Sequence, residues 1–520
     1  MTGSLLIGVD IGTASSKGVL CTPDGEVVAS AVIEHQTSFP RPGWAEHDAD
    51  KIWWNEFAAI CRQLLSGPYS GNDVGGVAVS AIGPCMLPVD AMGSPLRPAV
   101  LYGIDSRATA EIAWLEEHFG AEEMFALGGS ALTSQAVGPK IRWLRQHEPE
   151  VFARTAMIQS SSGYVVFRLT GNHVVDRHTA SYYTPLFDLE QMKWSSTFAD
   201  QVIDPSCLPE IRESHEIAGE VTAAASAETG LQIGTPVTVG TMDAAAEALS
   251  AGIDDAGDML IMYGSTLFLV NLSDSPRPDR RIWNTAYCLP GTTAITGGLG
   301  TSGLLTTWFR DLIGGGGVAP GNDNPDPSSY AALAARAAEI PAGCDGLVCL
   351  PYFAGERNPL HDPEARGMFA GLTLRHTQGH LYRSLLEAVG YGFRHNLDVH
   401  REIGAMPKRI VSVGGGTKNE LWVQILSDIS GITQFLPERT IGASYGDAFL
   451  AGLGTGIIDN SGVLNAQWVR IARQIEPNPA MAEVYDQTYA IYRNLYEHAK
   501  DDLHALHRLD LGSSAPISIS

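Results

Sequence analysis

The sequence predicts an α/β protein built from two related halves. Apolar strand-like runs alternate with helical patterns over the first ~250 residues, as in mixed α/β chains. A strand, a turn of Gly and Ser or Thr, and a returning strand occur near the N-terminus and again about half a chain later. This repeated hairpin indicates two halves that face one another.

The first hairpin begins with the apolar run Leu5–Val9, which ends at Asp10. The turn that follows contains Gly12, Thr13, Ser15 and Lys17. Such a turn can direct amides and hydroxyls toward a phosphate. A carboxylate at the end of the strand can hold a divalent cation, through water when the cation is Mg²⁺. An ordinary β-hairpin with a polar turn is the alternative interpretation.

The second hairpin begins with the apolar run Met259–Tyr263. Its turn consists of Gly264, Ser265 and Thr266, and the chain returns through Leu267–Val270. Two turns of this kind favour a site in which nucleotide phosphates are held from both sides.

Composition narrows the classes of protein that fit. The 520 residues include 34 basic and 58 acidic ones, a formal charge of −24, which disfavours nucleic acid and anionic membranes as partners. No run approaches the ~20 apolar residues of a membrane span, and no export signal is visible. The seven cysteines form no Cys-x-x-Cys pair and the fifteen histidines no metal-binding spacing. We therefore expect a cytoplasmic protein with reduced thiols.

We place the domain boundary near Asp254, where polar and Gly residues precede the second hairpin. The predicted domains are residues 1–254, residues 255–475, and a C-terminal helix and tail at residues 476–520. Aromatic residues at helical spacing between Met481 and Leu506 predict a helix that docks on the body. The Gly- and Pro-rich stretch at 314–327 predicts a mobile surface loop, and residues 513–520 a disordered tail.

Asp243 lies where the apolar strand Pro236–Val239 has ended and the Ala-rich segment Ala244–Leu249 begins a helix. A carboxylate in this position can accept the proton of a hydroxyl that attacks phosphorus. Asp is also a favoured residue at helix N-termini, so a capping role is the alternative.

Two further Gly-rich segments lie in the second half. Gly414-Gly415-Gly416, followed by Asn419, joins a strand to an amphipathic helix, which favours a ligand over a simple flexible turn. Gly298–Gly303 fits G-x-G-x-x-G, and could mark either a dinucleotide fold or a phosphate loop. No G-x-x-x-x-G-K-[ST] motif is present, which argues against a P-loop enzyme.

Together these segments resemble the FGGY family of carbohydrate kinases over nearly the whole chain. The resemblance rests on the colinear order of several motifs: Asp10-Ile11-Gly12-Thr13, Pro42–Asp48, Asp105-Ser106-Arg107, Gly355–Pro359, Gly371–His380, Gly414–Asn419 and Gly446–Gly452. The Gly-Glu-Arg-x-Pro stretch at Gly355–Pro359 is similar to that of xylulokinase-like members.

The resemblance implies two ribonuclease-H-like domains of the actin and hexokinase type around a cleft that binds ATP and sugar. It implies that Asp243 is the general base and that Asp10 organises Mg²⁺. The residues implied to bind ATP are Gly12, Thr13, Ser15, Lys17, Gly264, Ser265, Thr266, Gly303, Gly415, Gly416 and Asn419. The residues implied to bind the substrate are Gly83, Pro84, Asp105, Arg107 and Asp243. A homodimer is expected from the same resemblance.

The sequence departs from the xylulokinase pattern where substrate choice is decided. Gly-Gln-Met-His-Gly is usual after the Val-Ser strand, whereas this chain has Ala81-Ile82-Gly83-Pro84-Cys85. Pro84 stands where a sugar-contacting His is expected, so a hydroxyl contact is lost or supplied elsewhere. Met242-Asp243-Ala244 also lacks the Asn that often follows the Asp. Such changes can redirect specificity.

We expect ATP-dependent phosphorylation of a terminal hydroxyl of a small sugar, with the ketopentose xylulose as the first hypothesis. Other sugars, polyols or aldonates, such as ribulose, glycerol or gluconate, are alternative substrates. Alternatives of other classes are an actin-like ATPase, a catalytically silent sugar-binding regulator and a dehydrogenase.

Overall fold

The computed structural model describes residues 4–313 and 329–511. The predicted loop at 314–327 and tail at 513–520 lie outside these residues. The chain divides into two compact units. The first comprises Met1–Ala256, Leu272–Ile295 and Arg439–Arg470, and the second comprises Gly257–Asn271, Thr296–Glu438 and Ile471–Ser520. Neither unit is one continuous segment, and the division into consecutive domains at residues 254 and 475 stays a prediction.

The strands before Asp243 are β1 (Leu5–Ile11), β2 (Ser15–Cys21), β3 (Val27–Glu34), β4 (Glu46–His47), β5 (Val74–Ala81), β6 (Leu87–Val89), β7 (Ala99–Val100), β8 (Met157–Gln159), β9 (Val174–Asp176), β10 (Phe187–Asp188), β11 (Lys193–Trp194), β12 (Glu210–Arg212), β13 (Ile217–Glu220), β14 (Pro236–Thr238) and β15 (Thr241–Met242). The later strands are β16 (Asp258–Tyr263), β17 (Leu267–Ser273), β18 (Trp283–Ala286), β19 (Thr293–Leu299), β20 (Val348–Leu350), β21 (Met368–Ala370), β22 (Arg409–Val413), β23 (Gln434–Pro437) and β24 (Ile471–Ile475).

The α-helices are α1 (Asn55–Leu64), α2 (Thr109–Phe119), α3 (Ala121–Gly128), α4 (Val137–His147), α5 (Pro149–Arg154), α6 (Ser161–Thr170), α7 (Arg177–Ala180), α8 (Ala223–Thr229), α9 (Asp243–Ser250), α10 (Gly303–Ile313), α11 (Tyr330–Ala338), α12 (Gln378–Glu402), α13 (Glu420–Ser430), α14 (Ala443–Thr455) and α15 (Ala482–Leu511).

The first unit is built on a mixed sheet with strand order β13-β14-β5-β1-β2-β3, and β15 also pairs with β5. β1 is antiparallel to β2 and parallel to β5, so the predicted first hairpin is confirmed. Most side chains of β1 and β5 are buried because helices cover the sheet, as expected for a strand paired in parallel at the centre.

Helix α14 packs directly on β1 and α9 through glycines. A Cβ atom on Gly8 of β1 would lie 1.9 Å from the Ser444 carbonyl oxygen, and one on Gly446 would lie 2.1 Å from the Ala246 carbonyl oxygen. Only glycine allows backbones to approach this closely. The helix therefore fixes α9 relative to the central strand.

The second unit contains a sheet with strand order β19-β17-β16-β22-β23-β24. β16 is antiparallel to β17, which confirms the second hairpin, and is parallel to β22. The 25-residue helix α12 is mostly buried beside this sheet. Helix α15 buries Tyr485, Tyr489 and Tyr492 against the same core, so the prediction of a docking face is confirmed.

Candidate active site

Several carboxylates lie close together at the carboxyl-terminal end of the central strand β1 in the first unit. Asp10, near the end of β1, stands in register with Ser80 on β5 and Lys17 on β2. The Ser80 hydroxyl lies 3.3 Å from the Asp10 carboxylate and 2.7 Å from that of Asp447 on α14. Burial, followed by the charges of Asp243 and Glu247, raises the pKa of Asp10 well above its usual value.

Asp243 is the first residue of α9, and Met242 precedes the helix as its N-cap. The Asp243 side chain is therefore not the N-cap of α9, and the capping alternative is wrong. The Asp243 carboxylate accepts a hydrogen bond only from the next amide, that of Ala244, at 2.7 Å. The side chain is partly exposed. Burial among its neighbours raises its pKa to about 7, against the lowering effect of the Ala244 amide.

Two acidic residues of this cluster were not among the sequence candidates. Glu247 lies one turn after Asp243 on α9, and burial raises its pKa while the charge of Lys17 lowers it. Asp447 is fully buried, and burial raises its pKa well above the ordinary value. The four-residue spacing from Asp243 to Glu247 could have indicated that Glu247 belongs to the site, since residues i and i+4 share a helix face. Asp447 lies in the Gly446–Gly452 motif, but that motif was not assigned to the site.

The turn between β1 and β2 is held by polar contacts from the chain that follows. The Gly12 carbonyl oxygen is 3.1 Å from Nε2 of His35, and the Thr13 carbonyl oxygen accepts from the Thr37 hydroxyl at 2.9 Å. These contacts fix the conformation of the predicted phosphate turn. Gly12, Thr13 and Ser15 are partly exposed and Lys17 is exposed.

The second unit contains a cavity of about 600 Å³, within the range of small-molecule sites. Six of the residues predicted to bind ATP line it: Gly264, Ser265, Gly303, Gly415, Gly416 and Asn419. Thr266 is not among the lining residues. Asn419 also caps α13, accepting from the Trp422 amide.

Aromatic and small side chains that the sequence analysis missed complete the cavity. Tyr330 and Ala331 come from α11, Tyr382 comes from α12, and Thr306 and Thr307 come from α10. No motif marks these residues, because helices distant in sequence bring them together. Their mix of ring, methyl and hydroxyl groups is suited to an aromatic base and its sugar.

Backbone hydrogen bonds join the two Gly-rich segments beside this cavity. The Gly264 carbonyl oxygen accepts from the Gly303 amide at 2.9 Å, and the Ser265 carbonyl oxygen accepts from the Ser302 amide at 3.0 Å. A Cβ atom on Gly303 would lie 2.5 Å from the Gly264 oxygen. The G-x-G-x-x-G segment is therefore a brace for the second hairpin.

Glu356 binds the backbone near the start of the Gly298–Gly303 segment. One of its carboxylate oxygens accepts from the Gly300 and Arg357 amides, both at 2.7 Å. The other oxygen is buried without a hydrogen-bond partner among the described residues. Burial raises the pKa of Glu356 to about 8, although both amides lower it.

We expect Glu356→Gln to become increasingly more stable than the wild type as the pH rises. The folded state holds the Glu356 proton more tightly than the unfolded state. Stability is therefore lost between about pH 4.5, where the unfolded carboxyl ionises, and about pH 8. The slope is about 1.4 kcal/mol per pH unit. Melting temperatures from pH 5 to pH 8 measure it, and exposed Glu339→Gln is the control. A constant difference between wild type and Glu356→Gln would contradict the prediction.

Asp105 and Arg107, two predicted sugar-binding residues, bind each other. The Arg107 side chain is fully buried and donates to both carboxylate oxygens of Asp105, at 2.7–3.0 Å. Asp105 also accepts from the Ala45 amide at 2.7 Å, and the guanidinium stacks on Trp44 at 4.0 Å. Asp105 and Arg107 therefore form a buried ion pair within the first unit. A direct contact of either residue with sugar stays a prediction.

The segment that departs from the xylulokinase pattern lies beside Asp243. A Cβ atom on Gly83 would lie 2.7 Å from the Met242 side chain, so Gly83 packs against the residue before Asp243. The Cys85 thiol is buried, within the electrostatic influence of Asp243. Gly83 and Cys85, the residues on either side of Pro84, therefore lie near Met242 and Asp243.

Family profiles match both parts of the chain. The N-terminal domain of the FGGY family of carbohydrate kinases matches residues 5–250, and its C-terminal domain matches residues 259–455. The chain belongs to the FGGY family of carbohydrate kinases. It is 27% identical over 495 residues to the xylulose kinase of Staphylococcus xylosus, covering 95% of this chain and 99% of that relative. It is 29% identical to a glycerol kinase of Nocardia farcinica over 478 residues, 88% of this chain and 92% of that one.

A solved structure agrees with this assignment. The xylulose kinase from Rhodospirillum rubrum matches with a TM-score of 0.89 and 36% sequence identity, covering 96% of this chain and 100% of that one. The predicted two-domain α/β fold of the FGGY kinases is therefore confirmed.

Membership of the FGGY kinases settles the class of reaction. The protein is a phosphotransferase that acts on a sugar hydroxyl, and membership implies ATP as the phosphoryl donor. The dehydrogenase and actin-like ATPase alternatives are accordingly set aside. Across the described residues, no helix combines the length and apolar character that crossing a membrane requires.

Proposed function

We propose that this FGGY kinase transfers the γ-phosphate of ATP to the terminal hydroxyl of a ketopentose, with xylulose as the first candidate. The observation that carries the proposal is the Asp243 carboxylate, which is partly exposed and has one hydrogen bond, to its own helix. A general base works best when its pKa lies near the working pH, and burial brings that of Asp243 to about 7. The xylulose kinases to which the chain is similar support the choice of sugar.

In the proposed reaction, the sugar hydroxyl donates its proton to Asp243 as its oxygen attacks the γ-phosphorus of ATP. The bond from phosphorus to the bridging oxygen of ADP breaks at the same time. Lys17 supplies a positive charge to the otherwise acidic edge of the sheet. Amides and hydroxyls of the Gly12–Ser15 turn offset charge on the transferred group.

The carboxylate cluster also fits a divalent cation. The charges of Asp243 and Glu247 raise the pKa of Asp10, and the charge of Glu247 raises that of Asp243, so negative charge accumulates there beside Lys17, the single cation that the described residues place there. No three His, Cys, Asp or Glu residues of the described chain are grouped as a metal-binding set. Mg²⁺ usually keeps several waters and uses one or two carboxylates with substrate phosphates. We assign Asp10 as the residue that would hold it, where it would neutralise phosphate charge.

The cavity of the second unit is proposed to bind the nucleotide. Gly264, Ser265 and Gly303 would contact phosphates, and the turn at Gly415 and Gly416 with Asn419 would contact the adenosine. The side chains of Tyr330 and Tyr382 offer ring surface for the base.

The first experiment measures ADP release with Mg·ATP and a panel of ketopentoses, polyols, aldonates and glycerol. We expect turnover that depends on the sugar, is greatest with a ketopentose, and is lost when Mg²⁺ is chelated. Glycerol is included because of the similar glycerol kinase, and aldonates because Pro84 replaces the expected His. A preference for a polyol or an aldonate would overturn the ketopentose assignment. ATP hydrolysis unaffected by every compound would overturn sugar phosphorylation itself.

A further inference from the structure

His35 contacts the predicted phosphate turn, and the reaction described so far does not use it. Its side chain is 5% exposed. Its Nδ1 atom is 2.9 Å from a carboxylate oxygen of Glu56, and its Nε2 atom is 3.1 Å from the Gly12 carbonyl oxygen. The Ser16 hydroxyl donates to the same Glu56 oxygen at 2.6 Å. Because carboxylate and carbonyl oxygens accept hydrogen bonds and do not donate them, both ring nitrogens of His35 carry hydrogen, as in an imidazolium.

The neighbouring His47 is neutral by the same reasoning. Its Nδ1 atom accepts from the Trp53 indole at 3.2 Å. Its Nε2 atom is 3.0 Å from the Thr37 hydroxyl, whose single hydrogen goes to the Thr13 carbonyl oxygen at 2.9 Å. Nε2 is therefore the donor to Thr37, and His47 carries one ring hydrogen. Burial, followed by the charge of His35, lowers the pKa of His47 to about 4.

The groups that face His35 agree with a positive charge there. Glu56 belongs to α1, and the ring centre of His47 on β4 is 5.2 Å from that of His35. Burial opposes the charge of His35, but the hydrogen bond and charge of Glu56 outweigh it, so the pKa of His35 is raised. The pair of histidines therefore holds its positive charge on the ring that contacts the turn.

The contacts of His35 and Thr37 also set the direction of two amides. The carbonyl and the amide of a planar trans peptide point to opposite sides. Holding the Gly12 carbonyl therefore directs the Thr13 amide, and holding the Thr13 carbonyl directs the Ala14 amide. Among the described residues, neither amide donates to an acceptor in the protein. Thr13 is partly exposed and Ala14 is exposed, so both amides are suited to phosphate oxygens.

We propose that His35 is a positioning residue that, as an imidazolium, holds the Gly12 carbonyl and thereby directs the Thr13 amide toward the phosphoryl group being transferred. This inference rests on the proposed function. It gives a buried cation and a turn with two unused amides one common purpose.

The first test is His35→Gln, which removes the charge and leaves a side chain that can donate to only one of the two acceptors at a time. Removing a donor that stabilises transition-state charge costs about 10²- to 10³-fold, and misdirecting one should lower kcat by about 10- to 100-fold. The affinity for ADP should stay within about twofold of the wild type, because ADP lacks the transferred group. Exposed His498→Gln is the matched control.

Nitrogen NMR of protein labelled with ¹⁵N-histidine measures the charge without turnover. The signals of His35 are those missing from His35→Gln. At about pH 6, below the ordinary pKa of histidine, both His35 nitrogens should carry hydrogen and His47 should have one. As the pH rises through the pKa of His35, wild-type kcat should fall with the loss of that proton. The kcat of His35→Gln should lack this fall.

Two results would overturn the proposal: a His35 ring with a single hydrogen at that pH, or a kcat of His35→Gln within about twofold of the wild type. A loss of ADP affinity as large as the loss of kcat would also overturn it, since a structural role predicts both. If His35→Gln fails to fold, the wild type decides. No histidine losing its second hydrogen over the pH range in which kcat falls would then contradict the proposal. Absence of turnover in the wild type would instead reject the proposed function, and the spectrum would still test the charge of His35.

Discussion

Replacing Asp243 with Asn should reduce kcat by about 10³-fold or more while nucleotide affinity stays within about twofold of the wild type. Loss of a general base typically costs 10²–10⁴-fold. The amide oxygen of Asn can still accept from the Ala244 amide, so the start of α9 should persist. Steady-state ADP release and titration with ADP measure the two effects.

Asp255→Asn is a close control for this substitution. Asp255 is exposed and also accepts a hydrogen bond from the following amide, that of Ala256, at 2.8 Å. In the wild type, kcat/KM should rise with pH through about 7, as the Asp243 carboxyl loses its proton. Residual activity near the wild-type level, or equal loss of ADP binding, would argue that Asp243 serves the fold.

Replacing Gly8 with Ala should destabilise the first unit by about 3 kcal/mol or more, through overpacking of a close contact. The added methyl group would lie 1.9 Å from the Ser444 carbonyl oxygen and 2.4 Å from the Ala448 amide nitrogen. Both atoms belong to the backbone of α14, so no side-chain rotation can relieve the clash. The melting temperature of the first transition should fall by roughly 6–12 °C.

Gly67→Ala is the control, because Gly67 has open space around its Cβ position. Both substitutions add one methyl group and lower the backbone freedom of the unfolded chain equally. A Gly8→Ala protein as stable as Gly67→Ala would mean that α14 does not rest on β1 as closely as the structure describes.

The elements of secondary structure were largely predictable from local pattern. The apolar runs before Asp10 and Gly264 become β1 and β16, and the helices after Asp243 and Asn419 begin within one residue of their predicted starts. Strand and helix periodicities differ, so a short window identifies each. The placement of α14 on β1 was not predictable. It depends on Gly8 and Gly446, which are more than 400 positions apart in the sequence. A local sequence pattern cannot indicate that two such distant residues are in contact.

The candidate site was predictable where turn chemistry is local. Gly264, Gly415 and Asn419 carry the signal of a Gly-rich turn and lie on one cavity. The pairing of Asp105 was not predicted from the sequence. Its carboxylate oxygens, which were expected to bind the sugar, accept hydrogen bonds from Arg107.

The dependence of the first unit on α14 has a consequence for synthesis of the protein. As the N-terminal end leaves the ribosome first, β1 and β5 emerge long before Ala443–Thr455, which covers them. More than half of the chain must be translated after β5 before α14 is available to cover that apolar surface. A nascent chain stopped near residue 256 should therefore expose it, bind chaperones and resist native folding until the later segment is added.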